Sequence, residues 1–93
     1  KMNFEIELYK SGKEYSKKTF FVKCKGHSAG EPMKTPLENC FAITTNKNVF
    51  DSSYFFYLIQ HYFDNGIFKK HLKGSVIPYL TKKDFIEALN SSL

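Results

Sequence analysis

Two cysteines, three histidines and nine acidic residues are the side chains of this chain that could hold a metal or attack a bond. Cys24 and His27 stand at Cys-x-x-His spacing, and Cys40 with His61 or His71 would complete a four-ligand zinc set. Structural zinc sites carry two short ligand pairs, and this chain has one. Cys24 and Cys40 therefore read as strand thiols acting as small core hydrophobes, and His27 as a loop histidine. No metal is expected. A nucleophile pair of Cys40 with His61 or His71 is chemically conceivable, but no spacing forces it. For serine hydrolysis the Gly-x-Ser-x-Gly elbow is missing, and Gly74-Ser75 follows helical sequence where a strand would be needed. The acids are scattered, and none stands two positions before a lysine, so the acid-x-Lys pattern of many nucleases is absent. Gly26, Gly30, Gly66 and Gly74 form neither a Walker nor a dinucleotide-binding spacing. By elimination the chain is expected to bind without catalysing, and to use no cofactor.

Binding chemistry is suggested by charge. Fourteen lysines and no arginine face nine acids, giving +5. A low-GC bacterial genome, which prefers lysine codons, accounts for the missing arginine. Lysine contacts phosphate as a hydrated point charge but lacks the planar fork that reads guanine. Within 10–25, Lys10, Lys13, Lys17, Lys18, Lys23 and Lys25 stand against Glu14 alone. Within 69–93, Lys69, Lys70, Lys73, Lys82 and Lys83 stand against Asp84 and Glu87. If folding gathers these two segments, Lys13, Lys17, Lys18, Lys23, Lys25, Lys69, Lys70 and Lys73 make a nucleic-acid-binding face. Tyr9, Tyr15, Tyr54, Tyr57 and Tyr79 would supply stacking, and Asn46, Asn48 and Gln60 adenine contacts. The alternative is a protein-interaction or self-associating module that uses strand edges or Tyr54, Tyr57 and Tyr79.

The elements that must position these groups follow from periodicity. From Asn3, Phe4, Ile6 and Leu8 alternate with Glu5, Glu7 and Tyr9, which predicts a half-buried strand. A second strand, about 19–25, sets Phe20, Val22 and Cys24 against Phe21, Lys23 and Lys25. Two glycines and two prolines mark 26–37 as loop, and a third strand covers 39–45. Asp51 is an N-cap for a helix over 52–64, with Phe50 stapling Phe55 and Asn65-Gly66 closing the end. Phe55, Leu58, Ile59 and Tyr62 form its inner stripe with Phe63; Tyr54, Tyr57 and His61 are left open. Residues 67–73 predict a short helix with Phe68 and Leu72 inward. Pro78 makes 76–80 extended. Thr81 with Asp84 starts a last helix burying Phe85, Ile86 and Leu89. The fold class is α+β: a small, mostly antiparallel sheet packed by two to three helices, in a single domain over 1–93.

Composition bounds the rest. With 42% hydrophobic and 17% aromatic residues, the chain can offset the entropy of ordering. It has no apolar run of membrane length and no signal-peptide pattern. Met2 after Lys1 reads as the natural start, and two cysteines without a secretory signal point to a reducing cytoplasm.

The order of Asn39-Cys40-Phe41-Ala42-Ile43, Tyr54-Phe55-Phe56-Tyr57-Leu58, Lys73-Gly74-Ser75-Val76-Ile77-Pro78-Tyr79-Leu80 and Lys83-Asp84-Phe85 resembles a known arrangement. It is that of the C-terminal half of a target recognition domain from type I restriction-modification specificity subunits, matched over about residues 39–89. The resemblance implies a DNA-reading unit that leaves methylation and cleavage to partners. The Gly74–Pro78 segment is also similar to one in a group of small bacterial proteins.

Overall fold

A computed structural model of the chain describes residues 4–45, 51–74 and 76–92. The expected Phe50 staple, Asn46, Asn48 and Ser75 lie outside them.

The central constraint is visible in one short segment. Strand β4, Cys40–Thr45, is apolar on both faces for four residues, and all but Thr44 are buried. A strand with two apolar faces must be flanked on both sides, and it is. β4 lies between β1, Phe4–Leu8, and β2, Thr19–Lys23, antiparallel to both. A two-residue strand β3, Pro32–Met33, pairs outside β2, so the sheet order is β1-β4-β2-β3. The edges carry what edges tolerate: Glu5 and Glu7 on β1, and on β3 a proline with no N–H to donate. That two-residue strand stands inside the stretch expected to be all loop.

On the inner face, Phe20, Val22 and Cys24 meet Phe41 and Ile43, with Phe4 and Ile6 packed against them. The two helices cover this face. Helix α1, Ser52–Asp64, starts at Asp51, whose carboxylate accepts the Ser53 N–H at 2.8 Å. It ends in a Schellman arrangement: Gly66 at φ +75° donates to the Phe63 carbonyl, and Ile67 donates to Tyr62. Phe55 and Ile59 are its fully buried residues, while Leu58, Tyr62 and Phe63 are half-buried against the same core.

Residues 67–73 make less helix than their periodicity suggests: a single 3₁₀ turn over Phe68–His71. Phe68 is buried, and its ring stacks on Phe85 of helix α2, Lys82–Ser92, at 5.2 Å and 13°. Helix α2 begins with the Asp84 N–H donating to the Thr81 hydroxyl, and it buries Phe85, Ala88 and Leu89. Ala88 takes the place expected for Ile86, which is half-buried. Residues 76–80 form no strand. Instead Tyr79 exchanges backbone hydrogen bonds with Lys73, both at 2.8 Å, and closes the segment into a loop. That loop is fastened to the chain after β2 by Gly26 N–H to the Pro78 carbonyl and Leu80 N–H to the Cys24 carbonyl. Among the described residues no helix is long and apolar enough to cross a membrane.

Gly30 sets how closely the 3₁₀ turn approaches. A β-carbon there would lie 2.6 Å from Cδ2 of Phe68, and its φ of +103° disfavours any side chain. Gly30→Ala is therefore expected to lower stability by about 2–4 kcal/mol. Urea unfolding would read this as a lower midpoint at unchanged slope; an unchanged midpoint contradicts the packing described.

Candidate functional site

The outer sheet face determines what the N-terminal lysines can do. There Phe21, Cys40 and Ala42 form a second, smaller cluster with Tyr9, Tyr15 and Met33 against it. The segment after β1 folds back over this face. Tyr15 meets Phe21 edge-on at 5.7 Å and lies tilted against Tyr9 at 5.8 Å, and its hydroxyl donates to Glu7 Oε2 at 3.0 Å while accepting the Lys10 N–H. Lys13 pairs with the same Glu7 oxygen at 2.8 Å and lies over the Tyr15 ring. Hydrogen bonds from Lys13 and Tyr15 hold the Glu7 carboxyl below its usual range, and Glu7 raises Lys13 in return. Tyr9 and Tyr15 are thus packing residues. Alternation in a strand is legible locally, but contact with a face some distance along the chain is not.

The eight lysines expected to share a face are distributed over both sides of the sheet. Lys13 and Lys23 stand on the outer face, where Lys23 pairs with Glu31 at 2.8 Å. Lys17 and Lys18 are exposed in the turn before β2, and Lys25 is exposed beyond its end. Lys69 and Lys70 are exposed on the 3₁₀ turn, in the layer that covers the inner face, and Lys73 reaches Asp84 at 3.3 Å. Three of the eight are therefore tied to carboxylates. Among the other expected contacts, Gln60 donates to Asp64 at 3.0 Å along α1. Tyr54, Tyr57 and Tyr79 are exposed.

The two cysteines are free and buried, and the sheet separates them: Cys24 faces the inner core, Cys40 the outer cluster. Facing opposite sides of the sheet, the two sulfurs do not converge on one zinc position, and burial pushes both thiols up, away from the depressed range of a reactive cysteine.

Several surface features remain among the described residues. Two grooves adjoin at Leu8, at the end of β1. One, of 430 Å³, is lined by Leu8, Cys24, Phe41 and Leu80, with Glu7 and Lys82 among its polar residues. The other, of 480 Å³, runs past Leu8, Tyr9, Pro36 and Leu37. A cleft of 240 Å³ at the start of α1 is lined by Lys17, Lys34, Ser52, Ser53 and Tyr57. Finally, His71, Asp84 and Glu87 bring one ligand-type atom each within 4.8 Å of one another. The last group joins residues from two elements. Only the three-residue step from Asp84 to Glu87 hints at it in the sequence.

With this geometry in view, the chain belongs to a family of unknown function (DUF6943), whose model matches residues 6–93. No curated protein and no solved structure matches it.

Asp84 gives a readable pH dependence. Hydrogen bonding to Thr81, and then the Lys73 ammonium 3.3 Å away, holds its carboxyl below the ordinary carboxylate range. A carboxyl depressed in the folded state stabilises above its unfolded pKa, and this is lost as pH falls through the folded value. The thermal midpoint is expected to fall between about pH 5 and about pH 2, and less steeply in Asp84→Asn. Equal slopes in the two proteins would remove this assignment.

Proposed function

We propose that this chain is a non-catalytic binding domain that takes an extended segment of a protein partner along the rim where β1 ends. What carries the reading is the exposure of Leu8 and Leu37, 59% and 50%, on the two adjoining grooves. Covering a leucine fully is worth about 1.5–3 kcal/mol, so two half-covered ones offer useful binding energy to a segment that seals them. β1 is an edge strand, and its outer backbone groups have no ladder partner among the described residues. An added strand would use those groups for affinity and the grooves for selectivity.

Charge supports a foreign partner over a second copy. Glu5 and Glu7 project from the outer side of β1. An antiparallel copy centred on Ile6 would set Glu5 of each chain against Glu7 of the other, and like charges directly opposite destabilise a strand pair. A foreign segment alternating apolar and basic residues, with a basic side chain opposite Glu5, avoids that repulsion, Glu7 being already paired with Lys13. The two free thiols suit a reducing compartment such as the cytoplasm.

One observation favours nucleic acid as a second reading. The cleft at the start of α1 sets Lys17 and Lys34 beside Tyr57, whose ring is 63% exposed. Cation and ring together suit phosphate and base. The resemblance to a specificity-subunit domain points the same way. Of the eight lysines first considered, this version uses Lys17 alone.

Panning a library of extended peptides against the whole chain is expected to return segments alternating apolar and basic residues. Leu8→Glu and Leu37→Glu should each weaken the binders about tenfold, equivalent to about 1.4 kcal/mol. Absence of such binders, or indifference to both substitutions, overturns the peptide reading. Titration of labelled single-stranded DNA at two salt concentrations decides the second. Binding that falls about one log–log unit per phosphate contacted, and is weakened by Lys17→Gln and Lys34→Gln, would support it.

A further inference from the structure

We propose that His71, Asp84 and Glu87 form a binding site for one divalent transition-metal ion, with Lys73 as a resident counter-cation that the metal displaces. The residues come from two elements that packing holds in register. Asp84 and Glu87 are three positions apart on α2, so they share a helix face. His71 ends the 3₁₀ turn, and the turn is fixed to α2 by the stack of Phe68 on Phe85. Phe68 is three residues from His71, and Phe85 adjoins Asp84. The ring stack therefore sets the distance between the imidazole and the carboxylates.

Asp84 provides an independent sign. The residue is 7% exposed, and its Oδ2 is fully covered with no hydrogen-bond partner among the described residues. The Lys73 ammonium stands 3.3 Å from that oxygen, outside hydrogen-bonding geometry, on a side chain that is half exposed. A covered carboxylate oxygen without a hydrogen bond is costly, and a cation bound directly to it removes the cost. Lys73 meets the charge loosely and can swing into water when a metal arrives.

The donor set selects the metal class. One imidazole and two carboxylates suit zinc and its first-row neighbours, whereas calcium and magnesium favour oxygen throughout. Zinc bonds of about 2.0–2.2 Å place tetrahedral donors about 3.4 Å apart. The three donor atoms lie within 4.8 Å of one another, and Glu87, being exposed, has the most freedom to close on an ion. Three protein ligands leave one position for water.

Calorimetric titration of the metal-free, tag-free chain with ZnCl₂ tests this. One ion per chain is expected, with affinity lowered at least about tenfold in His71→Ala and in Glu87→Gln. His27→Ala and His61→Ala should bind as the parent does, and Lys73→Gln should bind several-fold tighter. Zinc should raise the thermal midpoint of the parent and not that of His71→Ala. No stoichiometric binding up to about 1 mM zinc, or binding that survives His71→Ala, overturns the site. Weaker binding in Lys73→Gln overturns the counter-cation role.

Discussion

The structure depends on a strand that has no polar face. Cys40–Thr45 gives Phe41 and Ile43 to the inner core and Cys40 and Ala42 to the outer cluster. Such a segment cannot lie at an edge or face water, and the burial it demands organises everything around it. β1 and β2 take their places on its two sides. The helices seal the inner face, and the segment carrying Tyr9 and Tyr15 is drawn over the outer one. The chain reaches this arrangement by inserting its last strand between the first two, so the sheet cannot be completed until residue 45 is available. Pairings of this kind, between strands distant in sequence, are the slow part of folding.

The same arrangement governs the charges. Lysines that cluster in the sequence are set apart by the fold: Lys13 and Lys23 pair with acids on the outer face, while Lys69 and Lys70 sit on the 3₁₀ turn in the layer on the other side. Where they meet acids they pair, as Lys13 does with Glu7, Lys23 with Glu31 and Lys73 with Asp84. An excess of five positive charges is thus compatible with a surface of mixed sign. The surface has more character in shape and apolarity, at Leu8 and Leu37, than in field strength.

Much of this was legible from local pattern. The alternation of Phe4 and Ile6 with Glu5 and Glu7, the Asp51 cap, the span of α1 and the Asn65-Gly66 stop each depend on neighbours within a few residues, and each stands where the sequence places it. Apart from Ala88 taking the buried place of Ile86 within α2, the failures are long-range. β3 is too short to show a period, and its proline argues for loop unless one knows it is an edge. The Ile67–Lys73 pattern is helical, but the chain leaves the helix early, so that Phe68 can lie against Gly30 and Lys73 can reach Tyr79. Tyr9 and Tyr15 looked available because nothing near them in sequence reveals the face they cover. His71, Asp84 and Glu87 look like three scattered titratable groups until Phe68 stacks on Phe85.

The placement of the two thiols has an experimental use. Cys24 lies on the inner side of the sheet and borders the groove at Leu8, and Cys40 lies on the outer side with Tyr9 and Tyr15 packed against its cluster, where its Sγ donates to the Leu37 carbonyl at 3.0 Å. Both thiols are buried at rest, so an alkylating reagent reaches each one through local opening on its own side of the sheet. Their relative labelling rates therefore time the opening of each side of the sheet, without any engineered probe.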